Sequence, residues 1–256
     1  MRNFLLCLVL CSFIAGCQSV PYSNRSQLSL ISENEETQMG REAWSEALNK
    51  EKISNDPFMN NAILRVGRAI ADISGRPDFK WEFKVFSSNV ANAYCLPGGK
   101  VGIYSGLFQY TANDAELATV ISHEIAHAIC RHGGERVSQH TLQAAGATLL
   151  GLASNSELVM AAYGLTTNFA GILPFSRTHE LEADYVGLLL MAKAGYDPTQ
   201  SIKFWQKFGN VDNSKLMAYF STHPHGSDRI NKLKEKMPEA LKFYQQSQQK
   251  GLGTVY

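Results

Sequence analysis

Nowhere in its 256 residues does this chain carry a block of basic residues. Its 24 lysines and arginines are mixed with 23 acids, for a formal net charge of +1. With no cationic stretch to neutralise phosphates, nucleic acid is excluded as the main partner. Nor does any apolar run reach the length of a membrane-spanning helix. Residues Gln139 to Leu173 are rich in Ala, Leu and Gly, but Asn155, Ser156, Glu157 and Asn168 interrupt them, so they read as packed helices. Cysteine is scarce. Cys7, Cys11 and Cys17 lie at the N-terminus, and only Cys95 and Cys130 remain, either to pair in an oxidising compartment or to stay as two buried thiols. No internal repeat divides the chain. The 45% apolar content is ordinary for a globular protein with one core.

What is present begins with a targeting segment over residues 1–16. Arg2 supplies a short positive region, and Phe4 to Ile14 form an apolar stretch too short to span a bilayer. It ends Ile14-Ala15-Gly16-Cys17, small residues before a cysteine, which resembles a bacterial lipoprotein signal. That resemblance implies cleavage before Cys17 and acylation of its thiol and amino group, hence a lipid anchor in the periplasm. The bland alternative is a secretory signal beside an incidental Cys17. Gln18, where aspartate is absent, implies the outer membrane by resemblance to proteobacterial lipoprotein sorting. Residues 17–32 are polar and read as a flexible tether.

Helical spacing of Met39, Ala43, Trp44 and Leu48 predicts a helix from Glu33 to about Lys50. Asp56-Pro57 starts another, with the stripe Ile63, Val66, Ile70, Ile73 and a stop at Gly75. Trp81, Phe83 and Val85 then alternate with polar residues. Ala91 to Leu96 precede the turn Pro97-Gly98-Gly99, and Lys100 to Tyr104 return, so a short sheet of about three strands is expected. Asn113, with Glu116 three residues on, opens a further helix striped by Leu117, Ile121, Ile125, Ala128 and Ile129, which Gly133-Gly134 should end. Helices follow over Arg177–Ala194, Pro198–Phe208 and about Ser227–Lys236. The Gln-rich tail, 238–256, reads as disordered.

The chemistry lies in His123-Glu124-Ile125-Ala126-His127, an H-E-x-x-H pattern. Residues four apart on a helix share a face, so both imidazoles can reach one ion. Glu124, about 100° further round, can lie beside that ion and take a proton from bound water. By chance the pattern arises in on the order of one such chain in a hundred, and two surface or core histidines are the bland reading. The helix cap and core stripe count against it. A catalytic zinc needs a third protein ligand plus water. His132 points off the ligand face, and Cys130 shares the face but reads as a packing residue. A carboxylate from a remote helix suits better: Glu180 and Asp184 lie one turn apart, Glu180 to complete the site and Asp184 to accept from a ligand histidine. Glu182, about 200° round from Glu180, reads as part of a solvated acidic face.

Taken together, H-E-I-A-H, then S-R-T-H-E-L-E-A-D-Y-V-G at Ser176, with Asn92-Ala93-Tyr94, Pro97-Gly98-Gly99, Tyr104-Ser105-Gly106-Leu107 and His223-Pro224 with Arg229, resemble metallopeptidase family forty-eight, the gluzincins. The resemblance covers about Glu33 to Met237. It implies an α+β, mainly α-helical, zincin-like domain over 33–237, with a short sheet before the H-E-x-x-H helix. It also implies one zinc ion per chain, with His123, His127 and Glu180 as ligands, Glu124 as base and Asp184 supporting a ligand. By the same resemblance His223 stabilises the oxyanion or occupies the open metal position of a latent state; the alternative is a turn histidine beside Pro224. Arg229 either binds a substrate carbonyl or pairs with a carboxylate. The chain resembles the periplasmic lipoprotein members and not the membrane-spanning ones, which implies unfolded or misassembled envelope proteins as substrates. The rival is a zinc-binding chaperone or assembly factor with weak proteolysis. Substrate would add as a strand beside Ala91–Leu96 or Val101–Tyr104.

Overall fold

The computed structural model describes residues 17–149, 176–211, 216–223 and 228–256. The expected targeting segment, most of the Ala- and Leu-rich region, and Pro224 of the late motif lie outside these residues. The architecture is α+β and mainly helical, as expected. Strands β1 (Cys17–Ser19) and β2 (Ser26–Leu28) form a hairpin, followed by helices α1 (Glu33–Lys50) and α2 (Pro57–Asp72). Then come β3 (Glu82–Phe86), β4 (Ala93–Leu96) and β5 (Lys100–Tyr104), a short 3₁₀ turn, and α3 (Asp114–Ile129). Helices α4 (His132–Leu149), α5 (Arg177–Lys193), α6 (Thr199–Gly209), α7 (Met217–Thr222) and α8 (Arg229–Gln246) complete the chain.

The three-stranded sheet has the order β3-β5-β4, with β3 parallel and β4 antiparallel to β5. This corrects one expectation. Val101–Tyr104 lies in the central strand, whose backbone is engaged on both sides, so β4 alone of the two proposed docking strands is an edge. Beneath the sheet runs α3, with every residue buried. Its sequence stripe marks one apolar face, but α2, α5, α6 and the sheet surround it, so the polar residues of this helix are buried as well and must find partners. Asn113 caps it, accepting from the Glu116 N–H at 2.9 Å, while the Glu116 carboxylate accepts from Ala112 N–H at 2.7 Å.

Gly133-Gly134 does not end this helix. It stops at Cys130, and Arg131 makes the turn with φ +55°, a left-handed conformation that its side-chain bonds to Glu36 and to the Ile31 carbonyl offset. The two glycines sit inside α4, where a Cβ at Gly134 would collide with the Glu36 carboxylate. At Gly187 close approach brings α5 onto α3: a Cβ there would meet the backbone nitrogen of His123 at 3.0 Å. Glycine therefore sets how near the carboxylates of α5 come to the imidazoles of α3.

Both ends differ from the sequence expectation. Residues 17–32 are not a slack tether, because Val20 is fully buried and Arg25 reaches Glu135 and Glu182. The tail over 238–256 is not disordered either. Helix α8 continues through Pro238 to Gln246, and the last residues fold back onto the start of α3. Asp114 N–H donates to Thr254 and Ala115 N–H to Leu252, each at 2.9 Å. Among the described residues no helix is long and apolar enough to cross a membrane. Cys95 and Cys130 are free thiols, Cys130 buried and Cys95 half-buried.

Candidate active site

Helix α3 carries His123 and His127 on one face, and α5, capped by Ser176 accepting from His179 N–H at 3.2 Å, lays Glu180 across from them. His223 enters from the end of α7. Nitrogen and carboxylate oxygen atoms of His123, His127, Glu180 and His223 lie within 4.8 Å of one another, and all four residues are buried. The Nε2 atoms of His123 and His127 are 3.1 Å apart. Glu180 Oε2 is 3.5 Å from His123 Nε2, and Oε1 is 3.4 Å from His127 Nε2. Thus the two imidazoles and the remote carboxylate converge, together with His223, whose Nδ1 is 3.1 Å from Glu180 Oε1.

The protons of the two imidazoles decide whether these residues fit a metal. Asp184 Oδ1 lies 3.0 Å from His123 Nδ1, and an ionised carboxylate only accepts, so the His123 proton belongs on Nδ1. Behind His127 stands His132, with the two Nδ1 atoms 2.8 Å apart. His132 Nε2 in turn faces Glu182 Oε2 at 2.9 Å, so it donates there and accepts from His127 at Nδ1. Both Nε2 atoms can then offer lone pairs to one spot beside the Glu180 carboxylate, whose oxygens lie 3.4 and 3.5 Å from them. Two lone pairs 3.1 Å apart repel each other unless a proton or a metal ion sits between them, and zinc with imidazole and carboxylate ligands suits this donor set.

Glu124 is placed beside this group. Its Oε1 lies 3.5 Å from His223 Nε2, and Tyr219 Oη donates to the same oxygen at 3.4 Å. Burial pushes the Glu124 carboxyl up, with His223 and His123 opposing, which moves it toward a useful proton acceptor. Arg229 settles on the carboxylate alternative. It donates to both Asp184 oxygens at 2.6 and 2.7 Å, and its Nη1 lies 3.1 Å from Glu180 Oε2. Trp205 covers its guanidinium at 4.2 Å. Burial would raise Asp184 and Glu180, but Arg229, with His123 at Asp184 and His223 at Glu180, outweighs it and holds both below the ordinary carboxylate range.

Glu182 corrects its expectation. It is buried, bound by Arg25, Ser23 and His132, and its carboxyl falls to about 2 because these partners outweigh burial. Cys130 is buried in the apolar core and is not among the four converging residues. Sequence reasoning missed Tyr219, Trp205 and Arg25. Tyr219 had a signal, since it precedes His223 by one helical turn and its ring stacks on that imidazole at 4.6 Å. Arg25 had none, lying more than a hundred residues from its partners.

Comparison with known proteins agrees with this geometry. The family model described as Peptidase family M48 matches residues 57–237, well over half of the chain. The chain is 34% identical over 233 residues to the mitochondrial metalloendopeptidase OMA1 of Schizosaccharomyces pombe, covering 89% of this chain and 68% of that one. It is 36% identical over 207 residues to OMA1 of Arabidopsis thaliana, covering 80% and 41%. It is 26% identical over 231 residues to the beta-barrel assembly-enhancing protease of Escherichia coli, covering 86% and 47%. The match thus spans less than half the length of the last two.

Proposed function

This chain belongs to the zinc-dependent metalloendopeptidases of peptidase family M48, and on that premise we propose that it cleaves unfolded or misassembled proteins of a bacterial cell envelope, held there by a lipid on Cys17. The observation that carries the peptidase mechanism is the pair of imidazole nitrogens 3.1 Å apart facing Glu180, with Glu124 alongside. His123, His127 and Glu180 would hold the zinc. Bound zinc supplies a Lewis acid and lowers the pKa of water toward about 7. Glu124 takes the water's proton on its carboxylate and returns it to the leaving amine, a transfer that its burial favours. Tyr219 and His223, both facing Glu124 Oε1, keep that oxygen turned toward the reacting centre. Asp184 and Arg229 hold His123 and Glu180 in place. Substrate main chain pairs with edge strand β4, an alignment that demands little of the substrate's sequence.

The envelope setting rests on the lipoprotein-like Ile14-Ala15-Gly16-Cys17. It is supported by the likeness to a bacterial protease named for β-barrel assembly. The OMA1 relatives are mitochondrial, so the setting rests on the N-terminus and not on the family. Gln18 after the cysteine favours the outer membrane.

One observation supports a second reading of the same site. His223 is close enough to be a fourth protein ligand, and in that role it would close the position otherwise left for water, as in a structural zinc site. In this reading the chain is a latent peptidase or a zinc-binding assembly factor until α7 moves. Casein cleavage by His223→Ala, with and without chelator, separates the two. Chelator-sensitive cleavage faster than wild type establishes latency. An inactive variant that keeps its zinc gives His223 a catalytic part.

A further inference from the structure

The two imidazoles facing the metal position are supported in different ways. His123 has a carboxylate directly behind it, Asp184, locked by Arg229. His127 has a carboxylate one imidazole further back. The order is Glu182, His132, His127, with contacts of 2.9 and 2.8 Å. This second arm also ends on an arginine, Arg25, whose Nη2 lies 2.8 Å from Glu182 Oε2 and whose Nε lies 3.1 Å from the same oxygen. Arg25 belongs to the turn of the β1–β2 hairpin, outside the residues that the family model matches. Ser23, from the same turn, donates to the other oxygen of Glu182.

A second set of contacts closes around His132. Arg25 also grips Glu135 with both Nη atoms, at 3.0 and 2.7 Å. Glu135 accepts from His179 Nε2 at 3.0 Å, and the His179 ring stacks on His132 with centroids 4.5 Å apart. The His132 ring is therefore fixed at its edge by Glu182 and on its face by His179, and one guanidinium holds both supporting carboxylates. None of His132, Glu135, His179, Glu182 and Arg25 takes part in the catalytic steps described above; His132 and Glu182 entered only as the chain behind His127 Nδ1.

We infer that His132 is a positioning residue that fixes the tautomer and direction of His127, and that the β1–β2 hairpin, through Arg25, is a structural part of the metal centre. The inference rests on the zinc reading proposed above. A supporting partner of this kind typically contributes tenfold to a hundredfold in metal affinity. If the cluster only packed the hairpin against the body, its loss would lower stability and leave the metal environment alone.

The test is zinc affinity by chelator competition, with the visible spectrum of the cobalt(II)-substituted protein, on the full chain. His132→Ala should weaken zinc by about tenfold to a hundredfold and shift the cobalt bands. His132→Gln, whose amide oxygen can accept from His127, should recover most of the affinity. Arg25→Ala should weaken zinc in the same direction by a smaller factor, and Arg25→Lys by less again. Zinc affinity within twofold of wild type and unchanged cobalt bands in His132→Ala and Arg25→Ala, beside a lowered melting temperature, would overturn the inference. If His132→Ala does not fold, Arg25→Ala and Arg25→Lys decide, because the Arg25 side chain is partly exposed and the lysine keeps a positive charge beside both carboxylates. Wild type and His127→Ala separate the two levels of the argument. Wild-type protein without zinc, or zinc retained by His127→Ala, sinks the site assignment itself. Zinc bound by wild type and lost by His127→Ala, with His132 and Arg25 inert, sinks only this inference.

Discussion

A histidine serves as a ligand only when its lone pair and not its proton faces the ion, and a buried carboxylate behind the ring enforces that choice. Such carboxylates also make the protein acid-sensitive apart from its metal. Glu135 and Glu182 each fall from an ordinary 4.5 to about 2, since His179 and Arg25 at the first, and His132, Arg25 and Ser23 at the second, outweigh burial. A folded-state pKa below the unfolded one means that the unfolded chain binds more protons in acid. The stability these groups contribute is then fully present above about pH 4.5 and is lost as pH falls through about 2. The melting temperature of zinc-free protein should therefore drop across that window, and drop less in Arg25→Ala. Parallel curves for the two proteins would show that Arg25 does not hold these carboxylates. At this scale the sequence was legible where spacing is local. His123, Glu124 and His127 follow from one helical turn, and Glu180 and Asp184 from another. Glu182 was misread because the same periodicity that places it off the ligand face cannot show that Arg25 waits there.

Helix α3 depends on parts remote from it. Its first-turn N–H groups have no partners within the helix. The C-terminal segment supplies them, with the Thr254 carbonyl for Asp114 and the Leu252 carbonyl for Ala115. Asp114 in turn binds Arg65 through both oxygens and accepts from Tyr256 Oη at 2.9 Å. Deleting residues 252–256 should leave two N–H groups unpaired where α3 is buried, at about 1–3 kcal/mol each. For a domain of this size that is a fall in melting temperature of several degrees, at about 2–4 °C per kcal/mol. An unchanged melting temperature would mean that water serves the helix start equally well. Element existence was largely readable from caps and stripes, and α1, α2, α5 and α6 fall within a residue or two of their expected limits, whereas α8 runs ten residues further and α7 was not expected. What periodicity could not show was tertiary. Gly133-Gly134 looks like a stop but serves close approach to Glu36, and a Gln-rich tail looks disordered until its backbone carbonyls find a helix to cap.

At the scale of the whole molecule, the hairpin that begins at Cys17 is bonded to the rear of the site, so a lipid on that cysteine would hold the catalytic domain close to the membrane and not on a slack tether. Cys17→Ser should move the protein from the membrane to the soluble envelope fraction. Equal membrane retention of the two forms would remove the lipid anchor from the account. The family and the mainly helical α+β fold were legible because several motifs occur in a fixed order. Which strand is the sheet edge was not, because strand order is set by pairing and not by position in the chain. The central claim is that two imidazoles of α3 and one carboxylate of α5 hold a zinc ion that Glu124 serves without binding. Its most direct test is metal content measured beside casein cleavage for wild type, Glu124→Gln and Glu180→Ala. One zinc per chain in wild type and Glu124→Gln, with cleavage by Glu124→Gln reduced about 10²- to 10⁴-fold and zinc lost from Glu180→Ala, is the predicted result. Full zinc in Glu180→Ala, or normal cleavage by Glu124→Gln, would contradict it.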